Sequence, residues 1–207
     1  MFTDRKEAGT SLAEKLVSRI SSGPLVLGLA RGGVMIAQAV ASRLSLPLDV
    51  LVVKKIPSPN NPELALGAVA PDGIRLVNWR LAQQQGVDEA YIQSVISNQQ
   101  SAIRQKTLLY RKGRKPLRVK DKTVIIVDDG AATGATFEVA VKWAEAKGAR
   151  KIIAALPVAP PDTVARIAPE VDELIVLEAP EHFDAVGQFY RNFDQVSDEE
   201  VIQLLHR

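Results

Sequence analysis

Two spacings of apolar residues alternate along the chain. Short β-branched or Leu-rich runs at Leu25–Leu29, Leu48–Val53, Val124–Val127, Ile152–Val158 and Leu174–Leu177 have the length of buried strands. Helical patterns separate them. Ala8, Leu12, Leu16 and Ile20 recur at helical spacing behind Asp4 and Glu7, a capping-box pair, and Gly23-Pro24 breaks that helix. A second helix follows Arg31-Gly32-Gly33 and runs to roughly Leu44, and the Leu48–Val53 strand ends in Lys54-Lys55. Pro57 to Pro62 reads as a loop, and Leu64 to Val77 as a hairpin turned at Pro71-Asp72-Gly73. Asp88 to Arg111 forms a long polar helix with Tyr91, Ile92, Val95, Ile96 and Ile103 as its apolar positions, and Lys112 to Lys122 is a polar linker. Phe137 to Lys147 is helical and closes at Gly148, a good C′ residue. The tail from Pro180 carries Phe183, Phe189, Tyr190 and Phe193 before a last helix near Ser197, with Glu200 three residues on.

Alternating strands and helices predict an α/β fold: a doubly wound, mostly parallel sheet covered on both faces. No internal repeat or low-complexity segment interrupts it. The expected organisation is a single domain over residues 1–207, with a helical insertion at about 79–118 and a C-terminal hood or tail at about 180–207.

Composition narrows the chemistry. With 46% hydrophobic residues, the 207-residue chain can bury a sizeable core. Cysteine is absent, so disulfides and thiolate catalysis are excluded, and His182 and His206 alone make a zinc site improbable. A net charge of +2 argues for no nucleic-acid partner. The N-terminal residues MFTDRKEAGTSLAEKL lack the apolar core of a signal peptide, and no run has membrane-spanning length, so a cytoplasmic location is expected.

The stretch Val124–Thr136 concentrates the chemistry. An apolar strand ends in Asp128 and Asp129; Gly130, Ala131, Ala132, Thr133, Gly134 and Ala135 form a small-residue turn, and Thr136 opens a helix. Such a turn presents bare amides and the positive end of a helix dipole, which suits a phosphate, with the Thr133 and Thr136 hydroxyls as further donors. The two carboxylates would repel that phosphate. They must face vicinal sugar hydroxyls or a metal ion, and a phosphate beside a polyol describes a ribose 5-phosphate. A strand-end acid pair also occurs in Mg²⁺-binding receiver and Walker-B-like strands, but neither calls for the Thr-Gly-x-Thr that follows, and no P-loop sequence is present.

Asp128–Thr136 resembles the phosphoribosyl-diphosphate motif of the type I phosphoribosyltransferases: an apolar strand, two acidic residues and a turn ending in Thr-Gly-x-Thr. In an open doubly wound sheet the ligand lies where strand order reverses. If the Leu25 and Val124 strands are neighbours, Arg31, Gly32 and Gly33 converge on the same crevice, where an arginine and bare amides suit a diphosphate. The resemblance makes this the pyrophosphate loop and implies a cis Ala30–Arg31 peptide. It also implies a basic residue against the diphosphate, Lys55 rather than Lys54, and a mobile loop over Pro57–Gly67 in which Glu63 is the acid. In the tail, Phe183 is placed to stack on an acceptor base, whereas His182 reads as a surface residue.

The function the resemblance implies is Mg²⁺-dependent transfer of 5-phosphoribose from phosphoribosyl diphosphate to a nitrogen acceptor, a nucleobase or related small molecule. Asp128, Asp129 and Arg31 are the catalytic candidates, with Asp128 and Asp129 also the candidate metal ligands. Ala132 departs from the 6-oxopurine enzymes, which carry a carboxylate there, so hypoxanthine and guanine are expected to be poor acceptors. The alternative is a non-catalytic regulator sensing phosphoribosyl diphosphate or a nucleotide through the same pocket. A phosphorylase or hydrolase of another phosphorylated sugar is a third reading. No membrane partner is expected, and assembly into a homo-oligomer is left open.

Overall fold

The computed structural model describes residues 1–20 and 23–206. Its centre is a five-stranded sheet of β1 (Leu25–Leu29), β2 (Leu48–Leu51), β6 (Thr123–Val127), β7 (Lys151–Val158) and β8 (Glu173–Glu178), in the order β2-β1-β6-β7-β8. Every neighbouring pair is parallel. β1 and β6 are buried along their whole length, which is why both read as unbroken apolar runs rather than alternating ones.

Helices cover both faces. α1 (Arg5–Leu16) and α2 (Gly32–Leu44) bury Leu12, Leu16, Ile36 and Val40 against one face. α5 (Ala135–Ala146) buries Phe137, Val141 and Trp143 on the other. Asp4 accepts the Glu7 amide at 2.8 Å, as the capping pattern predicts, but the Glu7 carboxylate takes the Thr3 amide instead of closing the box on Asp4. α1 ends at Leu16, so Ile20 packs on the core from beyond the helix.

The second strand is shorter than its apolar run. Pairing with β1 ends at Leu51, and the chain turns away to begin β3 (Lys54–Pro57), which pairs antiparallel with β4 (Ala65–Val69). β5 (Arg75–Val77) completes this small sheet. Lys54 and Lys55 therefore open a second sheet rather than ending the first. The predicted hairpin is present, with a 3₁₀ turn at Pro71–Gly73. Its tip docks on α5, where the Trp143 indole N–H donates to Asp72 at 3.2 Å and Lys147 pairs with the same carboxylate at 2.8 Å.

α4 (Glu89–Arg111), capped by Asp88, packs Ile92, Ile96, Ile103 and Tyr110 against the small sheet and α7 (Asp198–Leu205). The short helices α3 (Trp79–Gln84) and α6 (Pro161–Ile167) escape the periodicity reading because each spans fewer than two full repeats of the apolar pattern. α7 starts in the capping box that Ser197 and Glu200 predict. Phe2 bridges to Tyr190, bringing the N-terminus and the tail together. Among the described residues, no helix is long and apolar enough to cross a membrane.

Candidate active site

The register Gly28↔Val127 sets the C-terminal ends of β1 and β6 side by side, so Arg31 and Asp128 leave the sheet at one edge. β1 pairs with β2 on one side and β6 on the other, which makes this the point where the strand order reverses. The two loops are nearly in contact. A Cβ added to Gly32 would lie 1.8 Å from Asp129 Oδ2, and one added to Gly33 would lie 2.8 Å from Asp128 Oδ1. The Gly-Gly pair is thus required because any side chain there would displace the acid pair. The Ala30–Arg31 peptide is cis.

Asp128 and Asp129 occupy different surroundings. Asp128 Oδ1 accepts the Asp129 amide at 2.9 Å. Burial, then the neighbouring Asp129 charge, raises the Asp128 carboxyl well above its usual range. Asp129 is paired: Arg5 Nε donates to its Oδ2 at 2.8 Å, with the two side chains 8% and 16% exposed. The same guanidinium donates to the Asp194 carbonyl at 2.9 Å and lies 3.8 Å from the centre of the Phe193 ring. The Tyr190 hydroxyl donates to the Asp129 carbonyl at 2.6 Å, and burial pushes the phenol's pKa far up, so that it stays protonated. Four residues from the two ends of the chain therefore hold Asp129 in place.

Past the acid pair, the Ala131 amide donates to the Val158 carbonyl at 3.0 Å. It is not available to a phosphate, which corrects the expectation that every amide from Ala131 to Thr136 would be. Among the described residues, the amides from Ala132 to Thr136 have no acceptor within the protein. Their carbonyl side is braced instead: Thr163 donates to the Ala132 carbonyl at 2.6 Å and Arg166 to the Thr133 carbonyl at 2.5 Å. Gly134 takes a left-handed φ of 70° to turn the chain into α5. The result is a rigid loop whose free donors sit at a helix N-terminus, an arrangement that favours an anion.

Arg31 is the N-cap residue of α2, and its guanidinium lies 3.9 Å from Asp198 Oδ1. Asp198 also pairs with Lys106 and accepts the Tyr110 hydroxyl at 2.6 Å. Lys55 is exposed in β3, and Glu63 is exposed on the loop after it. That loop is shorter than expected, because Pro57 and Ala65–Gly67 belong to strands. Phe183 is half-buried and packs on Phe189 with ring centres 5.0 Å apart, while His182 is exposed.

Arg5, Tyr190 and Asp198 are absent from the sequence-based set. Arg5 did leave a signal: a cation in the first turn of a helix opposes the dipole and needs a reason to be there. Nothing local marks Tyr190 or Asp198, whose partners lie 61 and 88 residues away.

Comparison with known proteins bears on the fold and the family. A protein of Thermus thermophilus, TT1426, has a crystal structure that superposes with a TM-score of 0.83 at 39% identity, covering 99% of this chain and 97% of that one. The AQ2163 protein from Aquifex aeolicus shares the fold at a TM-score of 0.52 and 16% identity, over 84% of this chain and 73% of that one. "Putative phosphoribosyl transferase Rv0571c" of Mycobacterium tuberculosis is 44% identical over all 207 residues. This chain spans 47%, about half, of that relative's length. The family model described as the phosphoribosyl transferase domain matches residues 3–193, and the chain belongs to that family.

Proposed function

We propose that this protein transfers the 5-phosphoribosyl group of phosphoribosyl diphosphate to a nitrogen acceptor of the nucleobase kind. The observation that carries the reading is the convergence at one sheet edge of an acid pair, a loop of unengaged amides and a second loop that only glycine permits. The amides of Ala132–Thr136, with the Thr133 and Thr136 hydroxyls, bind the 5-phosphate. Asp128 and Asp129 take the ribose hydroxyls. Arg31, the Gly32 and Gly33 amides and Lys55 face the diphosphate.

In the reaction, the C1–oxygen bond breaks and its electron pair leaves with the diphosphate. The acceptor nitrogen's lone pair forms the new C1–N bond, and the nitrogen's proton passes to bulk water. Positive charge gathers on the ribose ring as the bond loosens, and the carboxylates of Asp128 and Asp129 stabilise it. Arg31 offsets the negative charge on the leaving group.

Mg²⁺ suits the donor set. It binds through one or two carboxylates plus substrate phosphates and keeps several waters, and Asp128 and Asp129 offer hard oxygens of that kind. Among the described residues, no group of three or more His, Cys, Asp or Glu side chains forms a self-contained cage, so the ion would arrive with substrate. When bound, it neutralises diphosphate charge and aids its departure. Phe183 supplies a ring for the acceptor, and Ala132 supplies no carboxylate to take its proton. Hypoxanthine and guanine are accordingly expected to react poorly.

Calorimetry with phosphoribosyl diphosphate and Mg²⁺ tests the binding reading, with Asp128→Asn/Asp129→Asn as the comparison. Absent wild-type binding at millimolar ligand, or full affinity in the double variant, refutes it. Diphosphate release across a panel of bases then tests turnover, and release with no base would refute the transfer reading.

A further inference from the structure

A second cavity, of about 760 Å³, lies on the α5 face of the sheet between α4, the segment 112–122 and the tip of the small hairpin. It shares no lining residue with the acid pair, the Ala131–Thr136 turn or the Arg31 loop. It touches β1 at Leu27 and β2 from Asp49 to Leu51, and its wall includes no residue of β6 or of the turn that follows it. Its volume falls in the range of small-molecule pockets.

The walls are fixed. Asp49, 7% exposed, accepts Arg111 Nε and a terminal guanidinium nitrogen at 3.0 Å each, and the Leu117 amide at 3.0 Å. This ties α4, β2 and the 112–122 segment together around the opening. Across from it, Trp143 is held through Asp72.

The lining specifies an occupant. Its charge is one-sided: both carboxylates, Asp49 and Asp72, are already paired, whereas Arg104, Arg118 and Lys120 line the cavity with no carboxylate partner among the described residues. Leu27, Ile103, Leu117 and Trp143 supply an apolar floor between them.

We infer that this cavity is a second ligand site, for a small organic anion with an apolar or aromatic body. The body rests among Leu27, Ile103, Leu117 and Trp143, and the anionic group meets Arg104, Arg118 and Lys120.

The experiment uses the full chain carrying Trp79→Phe, which leaves Trp143 as the single tryptophan. The probes are 1-anilinonaphthalene-8-sulfonate, an aromatic body with one sulfonate, and N-phenyl-1-naphthylamine, its uncharged counterpart. Saturable sulfonate binding at one per chain, with energy transfer from Trp143, is expected. Arg104→Gln/Arg118→Gln/Lys120→Gln should weaken the sulfonate probe at least tenfold and the neutral probe less than twofold. Thr107→Phe, which sets a bulky ring in the cavity wall, should weaken both at least tenfold while thermal unfolding stays cooperative. Saturating phosphoribosyl diphosphate with Mg²⁺ should leave binding in place. Binding without transfer from Trp143, equal loss of both probes in the triple variant, or binding undiminished in a folded Thr107→Phe variant would overturn the inference.

Discussion

Arg5→Met isolates the clamp on Asp129. The substitution keeps an unbranched apolar stem but removes the guanidinium, and with it the 2.8 Å pair to Asp129, the 2.9 Å bond to Asp194 and the stacking on Phe193. Breaking one side of a buried ion pair costs about 3–5 kcal/mol, because the remaining charge is stranded. Asp129 sits beside a crevice that water can enter, so the low end, about 3 kcal/mol, is expected. For a chain of this length that corresponds to a fall in Tm of about 6–12 °C. Urea unfolding of wild type, Arg5→Met, Asp129→Asn and the double variant gives the coupling energy directly. Arg5 and Asp129 share one contact, so the double variant should recover about 1.5 kcal/mol or more relative to additivity. A loss below about 1 kcal/mol in Arg5→Met, or additivity within about 0.5 kcal/mol, would show that water replaces the guanidinium and that the clamp is not what holds the acid pair.

Gly32→Ala places a methyl 1.8 Å from Asp129 Oδ2, well inside van der Waals contact, so Asp129 must swing off Arg5. Calorimetry should show phosphoribosyl diphosphate affinity at least tenfold lower, and wild-type affinity would contradict the close approach of the two loops. Asp128→Asn keeps the oxygen that accepts the Asp129 amide and removes a crowded charge. A carboxyl raised in the folded state destabilises that state above the unfolded-state value, so the variant should be more stable than wild type at pH 7, with the gain vanishing near pH 3. Urea unfolding at the two pH values checks this. Asp198 has the opposite sign: hydrogen bonds from Lys106 and Tyr110 hold it below its ordinary 3.8. Its contribution is therefore present above about pH 4 and lost as pH falls through the lower folded-state value, so Asp198→Asn should be destabilised at pH 7 and converge on wild type in strong acid, as thermal unfolding across that range would report.

The layered α/β architecture is written in the chain's own pattern. Buried parallel strands must be continuously apolar, and the helices between them must repeat near 3.6, so β1, β6, β7, α2, α4 and α5 each carry a local signature. The motif from Asp128 to Thr136 is equally legible, because a phosphate turn is made by consecutive backbone amides and needs no distant partner. Other features belong to the assembled molecule. The run Leu48–Val53 continues apolar past the point where β2 leaves the sheet, since Val52 and Val53 are buried in the core without a strand partner; only the pairing shows where Lys54 and Lys55 go. Which amides are free at the turn depends on Val158 taking Ala131. The hold on Asp129 joins Arg5, Tyr190 and Phe193 across more than a hundred residues. Such contacts leave no local pattern, because a side chain's charge or ring is the same letter whether it faces water or a carboxylate, and folding alone decides which.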